Sequence, residues 1–267
     1  MSDLIHTVSE LIEEVCATII VPLFHSAEKG VEEKSPGELV TRADREAEKF
    51  LTPALLSLLS GSRVIGEEAV SEDPSLLDSL NESGDIWLVD PLDGTSNFAA
   101  GLPSFATMIA LLRQGETVAS WICNPVANEM AVAERGSGSR LNGERIVTQP
   151  VVRGAEKMSG AILQRFFPSE INDRAEKAKS IFGNVSSGSK CAGSDYIEVV
   201  KGSLDFVLYW RTLPWDHAPG SLFLQEAGGY AARPDGSSYM ASDYARDGLL
   251  IAQSKEVWEQ VREAIFS

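Results

Sequence analysis

The run Trp87-Leu88-Val89-Asp90-Pro91-Leu92-Asp93-Gly94-Thr95-Ser96-Asn97-Phe98 carries the densest chemistry in this 267-residue chain. An apolar stretch leads straight into two carboxylates, and Pro91 and Gly94 mark a turn. In an unbroken strand Asp90 and Asp93 would face opposite sides, whereas a turn lets both converge on one point. Gly94-Thr95-Ser96 then reads as the opening of a helix, where free N–H groups and the helix dipole favour an anion. One segment can thereby supply both cation ligands and a phosphate cradle. A surface Asp-Gly turn with a capping aspartate is the plain structural alternative. It does not account for an apolar run that ends in acids.

Gly66-Glu67-Glu68 closes the short run Arg63–Ile65 in the same way, although adjacent acids taken alone are usually just solvated. Trp215-Asp216-His217-Ala218-Pro219-Gly220 sets a further acid ahead of a helix, where Asp216 serves equally well as an N-cap. His217 has no evident partner in the sequence and is read as a bystander. If Glu67, Asp90, Asp93 and Asp216 meet, they cannot all stay ionised without cations. An all-oxygen set suits Mg²⁺ or Mn²⁺ rather than zinc. Two such ions about 4 Å apart can activate water and steady the leaving oxygen of an in-line phosphoryl displacement.

The elements that must position these acids follow from periodicity. Leu4, Ile5, Val8, Leu11, Ile12, Val15 and Ile19 recur at helical spacing and predict an amphipathic first helix. Lys34-Ser35-Pro36-Gly37 breaks the chain into a loop. A second helix is expected after Thr41, with Ala47, Phe50, Leu51, Ala54, Leu55 and Leu58 on its apolar face. Arg63–Ile65 and Ile86–Val89 read as short buried strands. Phe105 to Val147 reads as an antiparallel meander, with Asn142-Gly143 as a hairpin turn. Beyond it, strands at Ala161–Gln164, Phe206–Tyr209 and Leu249–Ala252 alternate with helices near Asn172–Phe182, over Ser194–Lys201, after Pro219 and from Ser254. This mixed order predicts a layered α/β or α+β fold. Two halves are expected, 1–150 with most of the acids and 151–267 closing the site.

Bulk properties narrow the partners. With 23 basic and 39 acidic residues the formal net charge is −16. Such a field repels nucleic acid and anionic membranes, so neither is expected as a partner. It also repels a phosphorylated substrate unless bound cations reverse the sign locally. Cys16, Cys123 and Cys191 are scattered and odd in number, which argues against a disulfide framework or a zinc site. Asp3, Glu10, Glu13 and Glu14 interrupt the first 25 residues, and no stretch reaches the roughly 20 apolar residues of a membrane span. A cytoplasmic location is the expectation.

At these acids the chain resembles the inositol monophosphatase family of lithium-sensitive, Mg²⁺-dependent phosphatases. The resemblance runs from Lys34-Ser35-Pro36-Gly37-Glu38-Leu39-Val40-Thr41 with Asp44, through Gly66-Glu67-Glu68 and Asp90–Phe98. It continues in Asn124-Pro125, Gly136–Gly143 and Gly193-Ser194, and ends in Trp215-Asp216 with Glu226-Ala227-Gly228-Gly229. It implies a layered αβαβα sandwich, a homodimer, and hydrolysis of a small phosphate monoester without a covalent phosphoenzyme. By motif position it implies Glu67, Asp90, the Leu92 carbonyl, Asp93 and Asp216 as ligands of two or three Mg²⁺ ions. Thr95, oriented by Asp44, is implied as the partner of the attacking water, with Glu67 holding another water. The Gly94 and Thr95 N–H groups are implied as the phosphate cradle.

Departures from the family pattern fall on the alcohol side of the substrate. The usual Gly-[Ser/Thr]-Ala-Ala is here Gly193-Ser194-Asp195-Tyr196, and the acid seven residues before Asp216 is replaced by Tyr209. A phenol cannot supply that carboxylate's charge. Gly193, Ser194, Asp195, Tyr209 and Asp216 are therefore expected, with Asp93, Gly94 and Thr95, to shape substrate binding. Glu38 where aspartate is common is a conservative change. Nucleotide bisphosphate, fructose bisphosphate and histidinol phosphate remain alternative substrates, since Arg165, Lys190 and Arg211 could reach a second phosphate or a base. A regulatory module that works through a protein partner is the alternative of another kind.

Overall fold

A computed structural model describes residues 2–150 and 154–267. The chain begins with α1 (Ser2–Val15), a π-helical turn (Cys16–Ile20) and α2 (Val21–Phe24). One continuous helix was the expectation; the widened turn sits directly before Pro22, whose ring lacks an N–H donor and crowds the carbonyl four residues earlier. The expected loop at Lys34–Gly37 is a hairpin of β1 (Glu32–Ser35) and β2 (Glu38–Val40), turning at Pro36 and Gly37. Next come α3 (Arg42–Leu58), β3 (Arg63–Gly66), α4 (Glu67–Glu72), β4 (Asp85–Asp93) and α5 (Thr95–Ala99).

The meander follows as expected: β5 (Ala106–Arg113), β6 (Glu116–Asn124), β7 (Glu129–Glu134), β8 (Gly138–Leu141) and β9 (Glu144–Ile146). Asn142 (φ 52°) and Gly143 (φ 80°) supply the two left-handed residues that a tight hairpin turn requires. The second half contains β10 (Ser159–Ile162), α6 (Ser169–Lys179), β11 (Asn184–Ser186), α7 (Ala192–Lys201) and β12 (Phe206–Tyr209). It closes with α8 (Pro214–Glu226), β13 (Tyr230–Ala232), β14 (Leu249–Ala252) and α9 (Lys255–Phe266). The helix expected after Pro219 starts five residues earlier, with Pro214 in its first turn, and it tolerates Pro219 inside. Gln164 leaves the expected strand for a short 3₁₀ turn.

The strands form a seven-stranded sheet, β3-β4-β5-β6-β7-β8-β9, and a five-stranded sheet, β11-β10-β12-β14-β13. Strand alternation decides what each face covers. Ile109 and Leu111 of β5 pack with Val8, Ile12, Ala47 and Leu51 of α1 and α3. Ala106 and Met108, on the opposite face, join Tyr196 and Phe223 of α7 and α8, a core that also takes Val207 and Tyr209 from β12. Phe206 and Leu208, alternating with them, face Ala175 of α6 and Val257, Trp258 and Val261 of α9. The result is the expected αβαβα sandwich, with α7 and α8 as the shared middle layer. The boundary expected at 150/151 adjoins residues 151–153, which lie outside the described residues. Among the described residues no helix is long and apolar enough to cross a membrane.

Candidate active site

Parallel pairing of β3 and β4 brings the first two acids together. Ile65 pairs with Leu88 and Gly66 with Val89, so Glu67, where α4 begins, comes close to Asp90 of β4. The buried Glu48 of α3 fixes that corner. Its two oxygens accept the N–H groups of Glu68 and Ala69, both at 2.8 Å, capping α4. A side chain at Gly66 would collide with the Glu48 carboxylate.

The segment expected to turn after Val89 instead stays in β4 and bulges. Asp90 pairs with Met108 and Asp93 with Ala106, so β4 holds one residue more than β5 across the interval. That extra residue offsets the alternation that would send the two carboxylates to opposite faces, and Pro91 is tolerated because a bulge needs no ladder donor there. Thr107 Oγ1 pins the bulge by donating to Pro91 O at 3.0 Å. Gly94 then adopts φ 83°, and a Cβ there would lie 2.8 Å from Ser104 O. Only glycine suits both demands.

Thr95, at the start of α5, places Oγ1 3.0 Å from Asp44 Oδ1 and 2.9 Å from Leu92 O, so its single proton can go to either. Asp44 belongs to the capping box of α3: Oδ2 accepts the Thr41 N–H at 2.8 Å and the Thr41 hydroxyl at 2.5 Å. Asp216 arrives from the other side. It occupies the first turn of α8 behind Leu213 and Pro214, where the helix dipole favours a negative charge, so it is not the N-cap.

Burial and mutual repulsion dominate the electrostatics. Burial, reinforced by Glu67, Asp93 and Asp216, pushes Asp90 well above the usual carboxylate range. Asp216 is raised in the same way, by burial and then by Asp93 and Glu67, while a hydrogen bond with Asp90 works against the rise. Burial lifts Asp93 to about 7, opposed by the Gly193 N–H at 2.7 Å and the Cys191 thiol at 3.1 Å, both donating to Oδ2. Asp44 is raised to about 6, again chiefly by burial. Burial disfavours the Lys34 ammonium, yet Glu67 (Nζ to Oε1, 3.1 Å) and Glu68 hold it above the ordinary lysine range.

The donors fit a hard cation: buried, all-oxygen and short of positive charge. Their convergence is incomplete as they stand. Among the described residues, no three Asp, Glu, His or Cys side chains gather closely enough to hold a metal ion. Glu67 turns to Lys34, and Asp93 to Cys191 and Gly193.

A cavity of about 790 Å³ opens over these groups. Glu67, Asp90, Leu92, Asp93, Gly94, Thr95, Tyr209 and Asp216 line it, as do Arg165, Lys190 and Arg211. Gly193, Ser194 and Asp195 do not. The Gly193 N–H serves Asp93, and Ser194 Oγ contacts Ser104 Oγ at 3.1 Å. Asp195 is buried, with Oδ1 accepting the Ser189 N–H at 3.0 Å and Oδ2 the Tyr209 hydroxyl at 3.4 Å. The two departures from the family pattern thus pair with each other. His217 is buried, lying 3.3 Å from both Tyr196 Oη and Arg211 O, and burial lowers it to about 3, so the ring is neutral. Sequence reasoning missed three supports: Glu48, Cys191 and the Lys34 pairing. Only Lys34 carried a signal, as a cation in the motif that leads to Asp44.

Known proteins resemble this chain in sequence and in fold. The model of the inositol monophosphatase family matches residues 2–265. A Pseudomonas aeruginosa protein named Nus factor SuhB is 33% identical, over 91% of this chain and 90% of its own. A Mesorhizobium japonicum inositol-1-monophosphatase is 31% identical, over 87% and 84%. The crystal structure of the extragenic suppressor protein SuhB from Bartonella henselae superposes with a TM-score of 0.84 at 25% identity, covering 98% of both chains. Nothing in these comparisons supports the exclusion of nucleic acid that the net charge suggested.

Proposed function

This chain belongs to the inositol monophosphatase family, and from that premise we propose that it hydrolyses a small phosphate monoester with the help of Mg²⁺. The observation that carries the reading is that Asp90, Asp93, Asp216 and Thr95 line one cavity, with the buried Asp44 bonded to Thr95 behind that wall. Mg²⁺, held by these aspartates with Glu67 and the Leu92 carbonyl, would supply Lewis-acid polarisation of the phosphoryl group and offset its charge. Thr95 Oγ1 accepts a proton from the attacking water while its own passes to Asp44. The water oxygen bonds to phosphorus, the phosphorus–ester oxygen bond breaks, and the leaving oxygen takes up a proton from solvent to give the free alcohol. The Gly94 and Thr95 N–H groups are assigned to the phosphate oxygens. Tyr209 lines the cavity in place of a carboxylate and turns its hydroxyl to the buried Asp195, so no charged acceptor faces the alcohol there, which argues against inositol as the preferred alcohol.

The test is phosphate release from a panel of monoesters in Mg²⁺ and in EDTA. Turnover that EDTA abolishes supports the reading, and no turnover of any ester overturns it. The relative named Nus factor SuhB favours a second reading, in which the fold also serves a macromolecular partner. Co-purification of a defined partner with an inactive Asp93→Asn protein would support it. A homodimer belongs to the same proposal and is checked by light scattering.

A further inference from the structure

Cys16 and Cys123 are 107 residues apart in sequence, yet their sulfurs lie 3.8 Å from each other in the core between α1 and the larger sheet. Both are free thiols. We propose that this pair is a redox site: hydrogen peroxide closes it to a disulfide, and closure loosens the bulge that carries Asp90 and Asp93. The effect on the acids rests on the reading of them given above, whereas the disulfide stands without it.

The two thiols belong to different elements. Cys16 opens the π-helical turn that interrupts the first helix, and Cys123 stands on β6 opposite Thr107 of β5. A disulfide needs its sulfurs about 2.0 Å apart, so a short closing movement of the two side chains completes the bond and ties the N-terminal helix to the sheet. At 4% and 7% exposure the pair stays within reach of an oxidant little larger than water. Hydrogen bonding with Cys123 is the largest influence on the Cys16 thiol and, against burial, holds it below the ordinary thiol range, which favours Cys16 as the attacking sulfur. That sulfur bonds to one peroxide oxygen, the O–O bond breaks, and the Cys16 proton leaves with the other oxygen as water. The Cys123 sulfur then attacks the sulfenic sulfur, the S–OH bond breaks, and the Cys123 proton leaves with the hydroxyl as a second water. Two thiols lose two electrons and one peroxide gains them.

Thr107 carries the change to the acids. Its Oγ1 lies 3.7 Å from Cys16 Sγ and donates its one proton to Pro91 O at 3.0 Å, inside the bulge between Asp90 and Asp93. With that proton committed, Cys16 is the donor in its contact with Thr107. Oxidation removes the Cys16 S–H, and it draws Cys123, the strand neighbour of Thr107, towards Cys16. Both changes fall on the side chain that pins the bulge. Cys191, the remaining thiol, donates to Asp93 Oδ2 instead.

The experiment treats the full chain with hydrogen peroxide, removes the excess with catalase, alkylates the remaining thiols in denaturant and maps the peptides by mass. A peptide linked through Cys16 and Cys123 is expected, with Cys191 still alkylated, and dithiothreitol should reverse the link. No linked peptide, or a sulfenic or higher acid on one cysteine alone, would overturn the pair. Calorimetric titration then compares Mg²⁺ binding before and after oxidation. Binding weakened at least about threefold, with a matching fall in kcat/KM, supports the coupling to the bulge. Unchanged Mg²⁺ affinity overturns it. Cys16→Ala and Cys123→Ala should keep the parent's basal turnover and lose the response to peroxide. A response that both variants keep points to Cys191 and overturns the coupling. Should either variant fail to fold, the map and the titration of the unchanged protein decide alone. If the reduced protein turns over no ester, the acidic end has been misread as a catalyst, while the Mg²⁺ titration still tests the coupling. A reduced protein that binds no Mg²⁺ overturns the coupling, and the linked peptide decides the disulfide separately.

Discussion

Thr95 and Asp44, fifty-one residues apart in sequence, meet at 3.0 Å through Oγ1 and Oδ1, while the other oxygen of Asp44 caps helix α3. One carboxylate thus ends a structural helix and begins a proton path. The double duty separates fold from chemistry in an experiment. Thr41→Ala removes the hydroxyl partner of the cap and should cost about 1 kcal/mol of stability by urea unfolding, with kcat within a few-fold of the parent. Thr95→Ala should instead lower kcat by ~10²–10⁴ with little loss of stability. An unchanged kcat would remove Thr95 from the mechanism.

Asp93→Asn is expected to abolish Mg²⁺-dependent turnover. A neutral amide is a poor ligand for a hard cation, and it cannot balance the charge gathered there. Near-normal phosphate release at saturating Mg²⁺ would contradict the ligand assignment.

Melting temperatures should report the cluster without any turnover. In the metal-free protein burial raises Asp44 and Asp195 to about 6 and Asp93, Glu48 and Glu68 to about 7, with Asp90 and Asp216 also raised well above their ordinary range. A folded-state pKa above the unfolded one means stability that is fully present below the unfolded value, near 4, and is lost as pH rises through the folded value. His217, lowered to about 3, acts oppositely: its contribution is present above 6.5 and lost as pH falls. It is one group against seven. The metal-free Tm should therefore fall between pH 5 and pH 8. Mg²⁺, which binds the deprotonated forms, should raise Tm more at pH 8 than at pH 5. Scanning calorimetry showing the same Mg²⁺ effect at both pH values would contradict the assignment.

Tyr209→Phe tests the pairing of the two departures. It strips the buried Asp195 Oδ2 of a donor, leaving the Ser189 N–H on Oδ1. A loss of about 1 kcal/mol is expected in urea unfolding, together with a changed order of preference among esters. An unaltered order would place the alcohol away from this wall.

Gly220→Ala probes the shared middle layer. Its added carbon would press into the ring of the buried Tyr196, which has no room to swing aside. Overpacking of this kind should cost about 1–3 kcal/mol. Full stability would mean that α7 and α8 can separate slightly without consequence.

Much of the site was legible locally. An apolar run ending in Asp90 and Asp93 with Pro91 and Gly94 beside them, and an acid close to a helix start, are short-range patterns, although Asp216 falls inside α8 rather than ahead of it. A layered α/β or α+β order followed from strand and helix periodicities, and the αβαβα sandwich from the family resemblance. Other features depend on distant chain segments and left no periodic trace. Whether Asp90 and Asp93 turn or bulge is decided by pairing with β5. Glu48 acts on α4 from twenty residues away. Asp195 belongs to the site in sequence but faces Tyr209 and Ser189, because helix α7 directs it into the middle layer rather than into the cavity. Residue types able to hold a cation and an anion are written in the chain itself. Which of them share one cavity is set in three dimensions, because register between strands and the facing of a helix depend on packing across the whole sandwich.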